Sequence, residues 1–182
     1  METIDLSLLE KALKANPYVK KAEVFLNMNN EIKIQVSQRQ PIIRVIHIRG
    51  VDYYIDDAGL KVPASPNFTA HVPIVTGNIK DSAGVEGELK TQNTKDIFTL
   101  AKFIRENDFW KAQIEQVIVS PDAEFELIPK IADHVVILGT LENLETKMNK
   151  LMTFYKEGLS NVGWDQYKTI NLKFEDQVVA TP

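Results

Sequence analysis

Cysteine is absent from the 182-residue sequence, and histidine occurs only three times. The lack of cysteine excludes disulfide bonds, thiol nucleophiles and metal sites with cysteine ligands, although it identifies no cellular compartment. The histidines, His47, His71 and His134, lie far apart, and none has the HxxxH spacing of a zinc site. His47 alternates with apolar residues, which is more typical of one face of a strand than of a metal ligand.

Long apolar runs are also lacking. The longest, V-V-I-L at residues 135–138, is far shorter than the ~20 residues of a membrane helix and predicts a buried strand. No signal-peptide pattern begins at Met1. The net charge of −4 argues against a surface that binds nucleic-acid phosphates regardless of sequence. Because hydrophobic residues make up 44% of the chain, a packed core is expected and disorder is not.

Recognisable catalytic and cofactor motifs are missing as well. Asp56 and Asp57 lack the DxDxDG spacing of a calcium loop, and the sequence D-D-A-G that contains them is ordinary turn chemistry. Gly84 and Gly87 do not open a helix after a strand, as a phosphate-binding loop would, and no serine has GxSxG context. The sequence therefore predicts no enzyme and no cofactor. An enzyme assembled from distant residues stays an alternative, and a deep pocket with convergent polar groups would be its first sign.

The first part of the sequence has the pattern of a helix followed by a hairpin. Leucines at helical spacing predict a helix over residues 5–16, with Asp5 or Ser7 as its N-cap and a proline after its end. Alternating apolar residues predict strands over residues 19–26 and 31–36. The asparagine-rich segment between these strands is typical of a hairpin turn.

Strands and two further helices follow. A helix is predicted from Asn93 or Thr94 to about residue 107, with Ile97, Leu100, Ala101 and Ile104 on its inner face. A second helix is predicted over residues 141–157, with Gly158 as its C′ residue. Residues 78–90, rich in glycine and acids, predict an exposed loop. The predicted strands cover residues 42–48, 52–55, 60–62, 72–77, 114–119, 125–128 and 135–138. Because no spacing indicates repeated βαβ units, we expect an α+β fold with mostly antiparallel sheets.

The end of the sequence predicts a hairpin that closes on an edge strand. Ile170, Leu172 and Phe174 alternate with polar residues, which is the pattern of a strand with one buried face. The residues E-D-Q at 175–177 break the pattern, and V-V-A-T at 178–181 resumes it. If this last strand lies at the margin of a sheet, its unpaired N–H and C=O groups can receive a strand from another chain.

Three segments together resemble a known family. The first comprises N-P-Y-V-K-K-A-E-V at residues 16–24, E-I-K-I-Q-V at 31–36 and R-Q-P at 39–41. The second comprises Y-I-D-D-A-G-L at 54–60 and V-P-I-V-T-G at 72–77, and the third is Y-K-T-I-N-L-K-F at 167–174. Their order and spacing are similar to those of the extracytoplasmic region of the FtsQ/DivIB family of bacterial cell-division proteins.

The resemblance implies a division of the chain into two parts. Residues 1–40 correspond to the C-terminal part of a POTRA domain, and residues 41–182 to the β domain of the family. The family's POTRA domain begins with a strand and a helix before the helix predicted here. We therefore expect either a truncated piece of a longer protein or an artificial start at Met1, and an exposed sheet edge over residues 19–26. Gln38 and Gln177 depart from the family pattern, where an acid and a glycine are common.

The function that the resemblance implies is that of a non-catalytic scaffold in septum formation. Such a protein is anchored in the cytoplasmic membrane by a single upstream helix, with this region on the periplasmic side. The POTRA domain docks other division proteins, and the β domain recruits FtsB and FtsL through addition of a strand. The alternative is a POTRA-containing module of an outer-membrane assembly factor or chaperone.

The resemblance also implies a binding site on the closing hairpin. The backbone from Val178 to Ala180 supplies hydrogen bonds to the partner strand. Phe174 is the aromatic anchor, unless its alternation places it in the core. Lys173 and Glu175 select complementary charges on the partner. The full set of predicted partner-binding residues is Lys173, Phe174, Glu175, Val178, Val179 and Ala180.

Overall fold

A computed structural model describes residues 5–47, 50, 52–81, 84–131 and 133–182. Ile48, at the end of the strand predicted over residues 42–48, lies outside the described residues. None of the helices in these ranges has the length and apolar character needed to cross a bilayer. The helices are α1 Leu6–Lys14, α2 Gln92–Glu106, α3 Asp108–Gln113, α4 Leu144–Thr153, a π-helix Phe154–Leu159, α5 Ser160–Val162 and a 3₁₀-helix Trp164–Gln166.

Twelve strands lie within the described ranges. The first six are β1 Val19–Leu26, β2 Ile32–Gln38, β3 Pro41–Ile46, β4 Asp52–Asp56, β5 Leu60–Pro63 and β6 Ile74–Gly77. The other six are β7 Gly87–Glu88, β8 Ile114–Val119, β9 Phe125–Pro129, β10 Val135–Gly139, β11 Thr169–Asn171 and β12 Val179–Thr181. Each predicted strand therefore has a counterpart in the structure, with shifts at the ends, and β7 was not predicted.

The chain begins with α1 and a two-stranded sheet of β1 and β2. The carboxylate of Asp5 accepts hydrogen bonds from the backbone N–H of Ser7 and Leu8, so Asp5 is the N-cap and Ser7 is not. Asn30 closes the hairpin in a left-handed conformation, as expected for an asparagine-rich turn. Among the described residues, β1 pairs only with β2, so the far edge of β1 is open. Assignment of this unit to a POTRA domain stays a prediction.

Arg39 connects the α1–β1–β2 unit to the rest of the chain. Its Nη1 atom donates to Oδ2 of the buried Asp56 at 2.8 Å, and its Nε atom donates to the carbonyl oxygen of Pro17 at 3.1 Å. Close by, Lys20 Nζ lies 2.7 Å from Asp57 Oδ2, and this hydrogen bond lowers the pKa of the Asp57 carboxyl. Segments from the first and second motifs of the family resemblance are thus in direct contact.

The main sheet has ten strands in the order β12-β11-β10-β9-β8-β6-β3-β4-β5-β7. Six of its nine strand pairs are antiparallel, which confirms an α+β fold with a mostly antiparallel sheet. The parallel pairs β3–β6, β6–β8 and β10–β11 were not predicted. Helices α2 and α3 lie in the connection from β6 to β8, and α4 in the connection from β10 to β11, as crossovers between parallel strands require.

The start of α2 differs from the prediction. Its N-cap is Thr91, whose hydroxyl accepts the backbone N–H of Thr94, and neither Asn93 nor Thr94 caps the helix. The side chain of Asn93 instead accepts the backbone N–H of Lys80 at 3.0 Å, a contact between distant segments that local pattern does not reveal. The predicted inner face of α2 is confirmed, because Ile97, Leu100, Ala101 and Ile104 are all buried.

The second predicted helix begins later and ends differently. Asn143 has a left-handed conformation, so α4 starts at Leu144. Beyond Thr153 the helix widens into a π-helix, in which Tyr155 and Leu159 are both buried. Gly158 lies inside this π-helix and is not a C′ residue. A Cβ atom at Gly158 would approach the ring of Phe154 to 3.0 Å, so a larger residue there would require the ring to move.

The predicted exposed loop over residues 78–90 is wrong in part, because Ile79 and Asp81 face the interior. Ile79 belongs to the core. Asp81 lies 2.7 Å from Lys61 Nζ and accepts a hydrogen bond from the hydroxyl of Tyr53 at 2.5 Å, and both Lys61 and Asp81 are almost fully buried. Burial, together with the charge of Asp81, raises the pKa of Tyr53.

We expect Lys61→Met to lower the free energy of unfolding by about 3 kcal/mol, because it leaves the Asp81 carboxylate buried without its cation. Urea denaturation followed by fluorescence measures this loss. The double variant Lys61→Met/Asp81→Asn should lose less than the single variant, since neither charge is then buried. A loss below about 0.5 kcal/mol for Lys61→Met would show that the pair behaves like an exposed one.

Candidate partner-binding edge

The closing hairpin consists of β11 and β12, which pair antiparallel with Ile170 opposite Ala180 and Asn171 opposite Val179. Strand β11 also pairs in parallel with β10, so its two edges are both occupied. Strand β12 is the terminal strand of the ten-stranded sheet, and its far edge pairs with no strand in the part of the chain that the structure describes. Alternate residues of β12 therefore direct their N–H and C=O groups away from the sheet.

The predicted alternation holds through Leu172 and fails at Phe174, beyond the end of β11. Ile170 and Leu172 are completely buried, whereas Phe174 is 46% exposed. The strand ends at Asn171, and the chain then leaves the sheet, so the period of two no longer decides which way a side chain points. The core interpretation of Phe174 is therefore wrong, and its ring is available beside the hairpin.

The other predicted residues occupy different positions on the hairpin. Lys173 Nζ lies 2.7 Å from Glu124 Oε1, so its charge is matched within the chain. The side chain of Glu175 is exposed. Val178 packs against the core, while Val179 on β12 is 36% exposed and Ala180 is half-buried. The structure thus brings all of the predicted residues onto one hairpin, and binding of a partner there stays a prediction.

Lysines hold the seven-residue connection from Leu172 to Val178. Lys150 on α4 donates from Nζ to the carbonyl oxygens of Phe174 and Glu175, at 2.7 and 2.9 Å. The stem of Lys173 lies against Gly139, where a Cβ atom would come within 2.8 Å of Lys173 Cγ. Sequence reasoning missed Lys150, because 24 residues separate it from Phe174 and no local pattern connects the two.

The region that contains this hairpin is similar to known proteins. The family model "FtsQ/DivIB, C-terminal related" matches residues 40–181, which is most of the chain. The chain belongs to the FtsQ/DivIB family. The match includes the whole ten-stranded sheet, and the second and third motifs of the resemblance lie within it.

Two curated relatives extend the similarity of this FtsQ/DivIB chain to its N-terminal unit. Cell division protein FtsQ of Rhodothermus marinus is 23% identical over 181 residues, which are 97% of this chain and 65% of the relative. Cell division protein FtsQ of Geotalea daltonii is 26% identical over 171 residues, which are 90% of this chain and 58% of the relative. The chain therefore spans somewhat less than two thirds of the length of these relatives.

Two grooves border the hairpin of this FtsQ/DivIB chain. One, of about 670 Å³, lies between the α4–π-helix segment and residues 176–178, and includes Phe154 and Gly158. The other, of about 540 Å³, lies on the far side of Lys150 and includes Phe174. Both are open to solvent, and both are lined by residues of the connection between β11 and β12.

Two of the three histidines have hydrogen-bond partners within the chain. Within the described residues, no three His, Cys, Asp or Glu side chains are placed to hold a metal ion. His47 Nε2 lies 2.9 Å from the carbonyl oxygen of Ile79. His134 is buried, with Nε2 at 2.7 Å from the hydroxyl of Tyr155 in the π-helix, and burial lowers the pKa of His134.

We expect the buried His134 to make the fold less stable in mild acid. Its pKa is lower in the folded than in the unfolded state, where it is about 6.5. As the pH falls below that value, the unfolded state takes up a proton that the folded state does not, so stability is lost towards pH 5. Urea denaturation between pH 7 and pH 5 measures the loss.

His134→Gln, which keeps a polar partner for Tyr155, should reduce this dependence on pH. His71→Gln, at an exposed position, controls for the removal of a histidine. If the His134→Gln and wild-type chains lose stability in parallel between pH 7 and pH 5, His134 does not cause the loss.

Proposed function

We propose that the chain is the extracytoplasmic part of a non-catalytic, membrane-anchored cell-division protein, and that the open edge of β12 accepts a strand from FtsB or FtsL. The observation that carries the proposal is the position of β12 as the terminal strand of the sheet, in a region that belongs to the FtsQ/DivIB family. Both curated relatives are named as cell division proteins.

The geometry of the hairpin supports strand addition. Main-chain hydrogen bonds along Val178 to Ala180 give the partner strand its affinity, and flanking side chains give specificity. Phe174 supplies an exposed aromatic ring on the connection that leads to β12, and Val179 an exposed β-branched side chain. Because Lys173 is paired with Glu124, the exposed carboxylate of Glu175 is the better candidate for charge selection.

The same family relationship motivates proposals for the rest of the protein. An upstream helix anchors it in the cytoplasmic membrane, with this region in the periplasm. The α1–β1–β2 unit is the C-terminal part of a POTRA domain, which docks further division proteins. The coding sequence upstream of Met1 tests the anchor: a single apolar span of about 20 residues is expected, within roughly 60 residues of Met1.

Titration of the 182-residue chain with the extracytoplasmic segments of FtsB and FtsL from the same organism tests the proposed partners. Calorimetry should show saturable binding to at least one segment, and the amides of Val179–Thr181 should exchange more slowly in the complex. A scrambled segment of the same composition serves as the control. If neither segment binds, FtsB and FtsL are not the partners of this chain.

The match over residues 40–181 favours this function over an outer-membrane assembly module. In such a module the functional units would be tandem POTRA domains, and the ten-stranded sheet would have no counterpart. Tandem POTRA units upstream of residue 1, in place of a membrane helix, would reverse that preference.

A further inference from the structure

The β11–β12 hairpin has little strand pairing of its own. Strands β11 and β12 are three residues each, and seven residues connect them. The buried Leu172 anchors the connection at its start, and Val178 packs against the core near its end. Hairpins this short are marginal without further contacts. The path of the exposed residues between these two anchors therefore depends on side chains that reach it from elsewhere.

Lys150 reaches the connection from a fixed point. Its neighbours on α4, Met148 and Leu151, are completely buried, so the helix is anchored in the core. An ammonium group has three donors, and Lys150 uses two of them for the carbonyl oxygens of Phe174 and Glu175. Hydrogen bonds from a charged donor are stronger than those between neutral groups. One lysine thus fixes two successive peptide units at the middle of the connection.

We propose that Lys150 is a positioning residue, which holds the β11–β12 connection so that the open edge of β12 is ordered before a partner strand arrives. This inference rests on the proposed function, in which β12 receives that strand. A binding edge that is already ordered loses less conformational freedom on association, so the affinity is higher. Lys150 acts through the hairpin and does not itself need to touch the partner.

A second lysine on the same helix provides a matched control. Lys147, one turn before Lys150, donates from Nζ to the carbonyl oxygen of Thr140, after β10, and not to the hairpin. Lys147→Met and Lys150→Met therefore remove the same charge from the same helix and the same kind of hydrogen bond. Only Lys150→Met releases the β11–β12 connection. Lys150→Arg keeps a cation with several donors at that position.

Residue-resolved amide exchange on the unliganded chain, together with titration by the FtsB and FtsL segments, tests the proposal. In Lys150→Met, exchange at Val179–Thr181 should become about tenfold faster, and binding about tenfold weaker, while exchange at Val136 in the core stays unchanged. Lys150→Arg should restore both quantities to within about threefold of the wild-type chain. Lys147→Met should change neither by more than about twofold.

Three results would overturn the proposal in different ways. Unchanged exchange at Val179–Thr181 in Lys150→Met would show that Lys150 does not order the edge, whatever the partner does. Faster exchange with unchanged affinity would show that order at the edge is irrelevant to binding. If the wild-type chain binds neither segment, the proposed partners are wrong and the positioning role falls with them, while the exchange data still decide whether Lys150 holds the hairpin.

Discussion

Val179→Pro is expected to weaken binding of the FtsB or FtsL segment by about 100-fold. Proline has no N–H group and fixes φ near −65°, so it removes a main-chain hydrogen bond and bends the short strand that must pair with the partner, at a cost of about 3 kcal/mol. That free energy corresponds to about a hundredfold in the dissociation constant. Val179 is the first residue of the terminal strand, and within the described residues it pairs with Asn171 of β11 and with no other strand. The substitution should therefore leave the rest of the sheet in place.

Val179→Thr is the matched control, since threonine is also β-branched and keeps its N–H group. It should bind within about fivefold of the wild-type chain. Circular dichroism and thermal unfolding of both variants show whether the sheet is intact. The substituted residue lies in an edge strand of three residues, so only that strand is expected to lose its pairing. A folded Val179→Pro chain with unchanged affinity would contradict strand addition at β12.

Gly77→Ala should have the largest effect on stability, a loss of at least about 4 kcal/mol in the free energy of unfolding. Gly77 ends β6, opposite Val119 on β8, with φ near +100°. A Cβ atom at this position would lie 2.2 Å from the backbone oxygen of Val119 and 2.9 Å from its nitrogen. Backbone atoms cannot rotate away, so the two central strands would have to separate.

Gly87→Ala separates the steric part of this effect from the conformational part. Gly87 has a similar φ, near +95°, but among the described residues no atom beyond its chain neighbours lies within 4 Å of the Cβ position. Gly87→Ala should lower the free energy of unfolding only by the strain of a positive φ, about 1 to 2 kcal/mol. Urea denaturation of the two variants gives the comparison. Equal losses of stability in the two variants would show that the close approach to Val119 is not the reason for glycine at residue 77.

The sequence predicted well the features that local physical chemistry controls. Helical spacing identified the buried face of α2, and Asp5 was one of two candidate caps for α1. Alternation and turn residues identified the closing hairpin and the burial of Ile170. Ordered motifs identified the FtsQ/DivIB family, and the family match now shows it. Each of these depends on residues a few positions apart, where spacing alone decides which side chains share a face.

Contacts between distant segments decided the rest. Thr91 caps α2 while the side chain of Asn93 accepts the backbone N–H of Lys80, and Asp81 faces the interior, where it meets Lys61. The parallel pairs of the sheet depend on which strands the crossovers bring together, and spacing does not specify this.

The hairpin at the end of the chain combines both kinds of information. Its existence, and its last strand of β-branched residues, follow from the pattern of residues 168–181. Its place at the margin of the sheet, the exposure of Phe174 and the attachment to Lys150 appear only once the chain is folded. A strand lies at an edge when no other strand pairs with its far side. The hydrogen bond from Lys150 to the carbonyl oxygen of Phe174 spans 24 residues and depends on the packing of α4. Neither quantity is local, so only tertiary structure determines them.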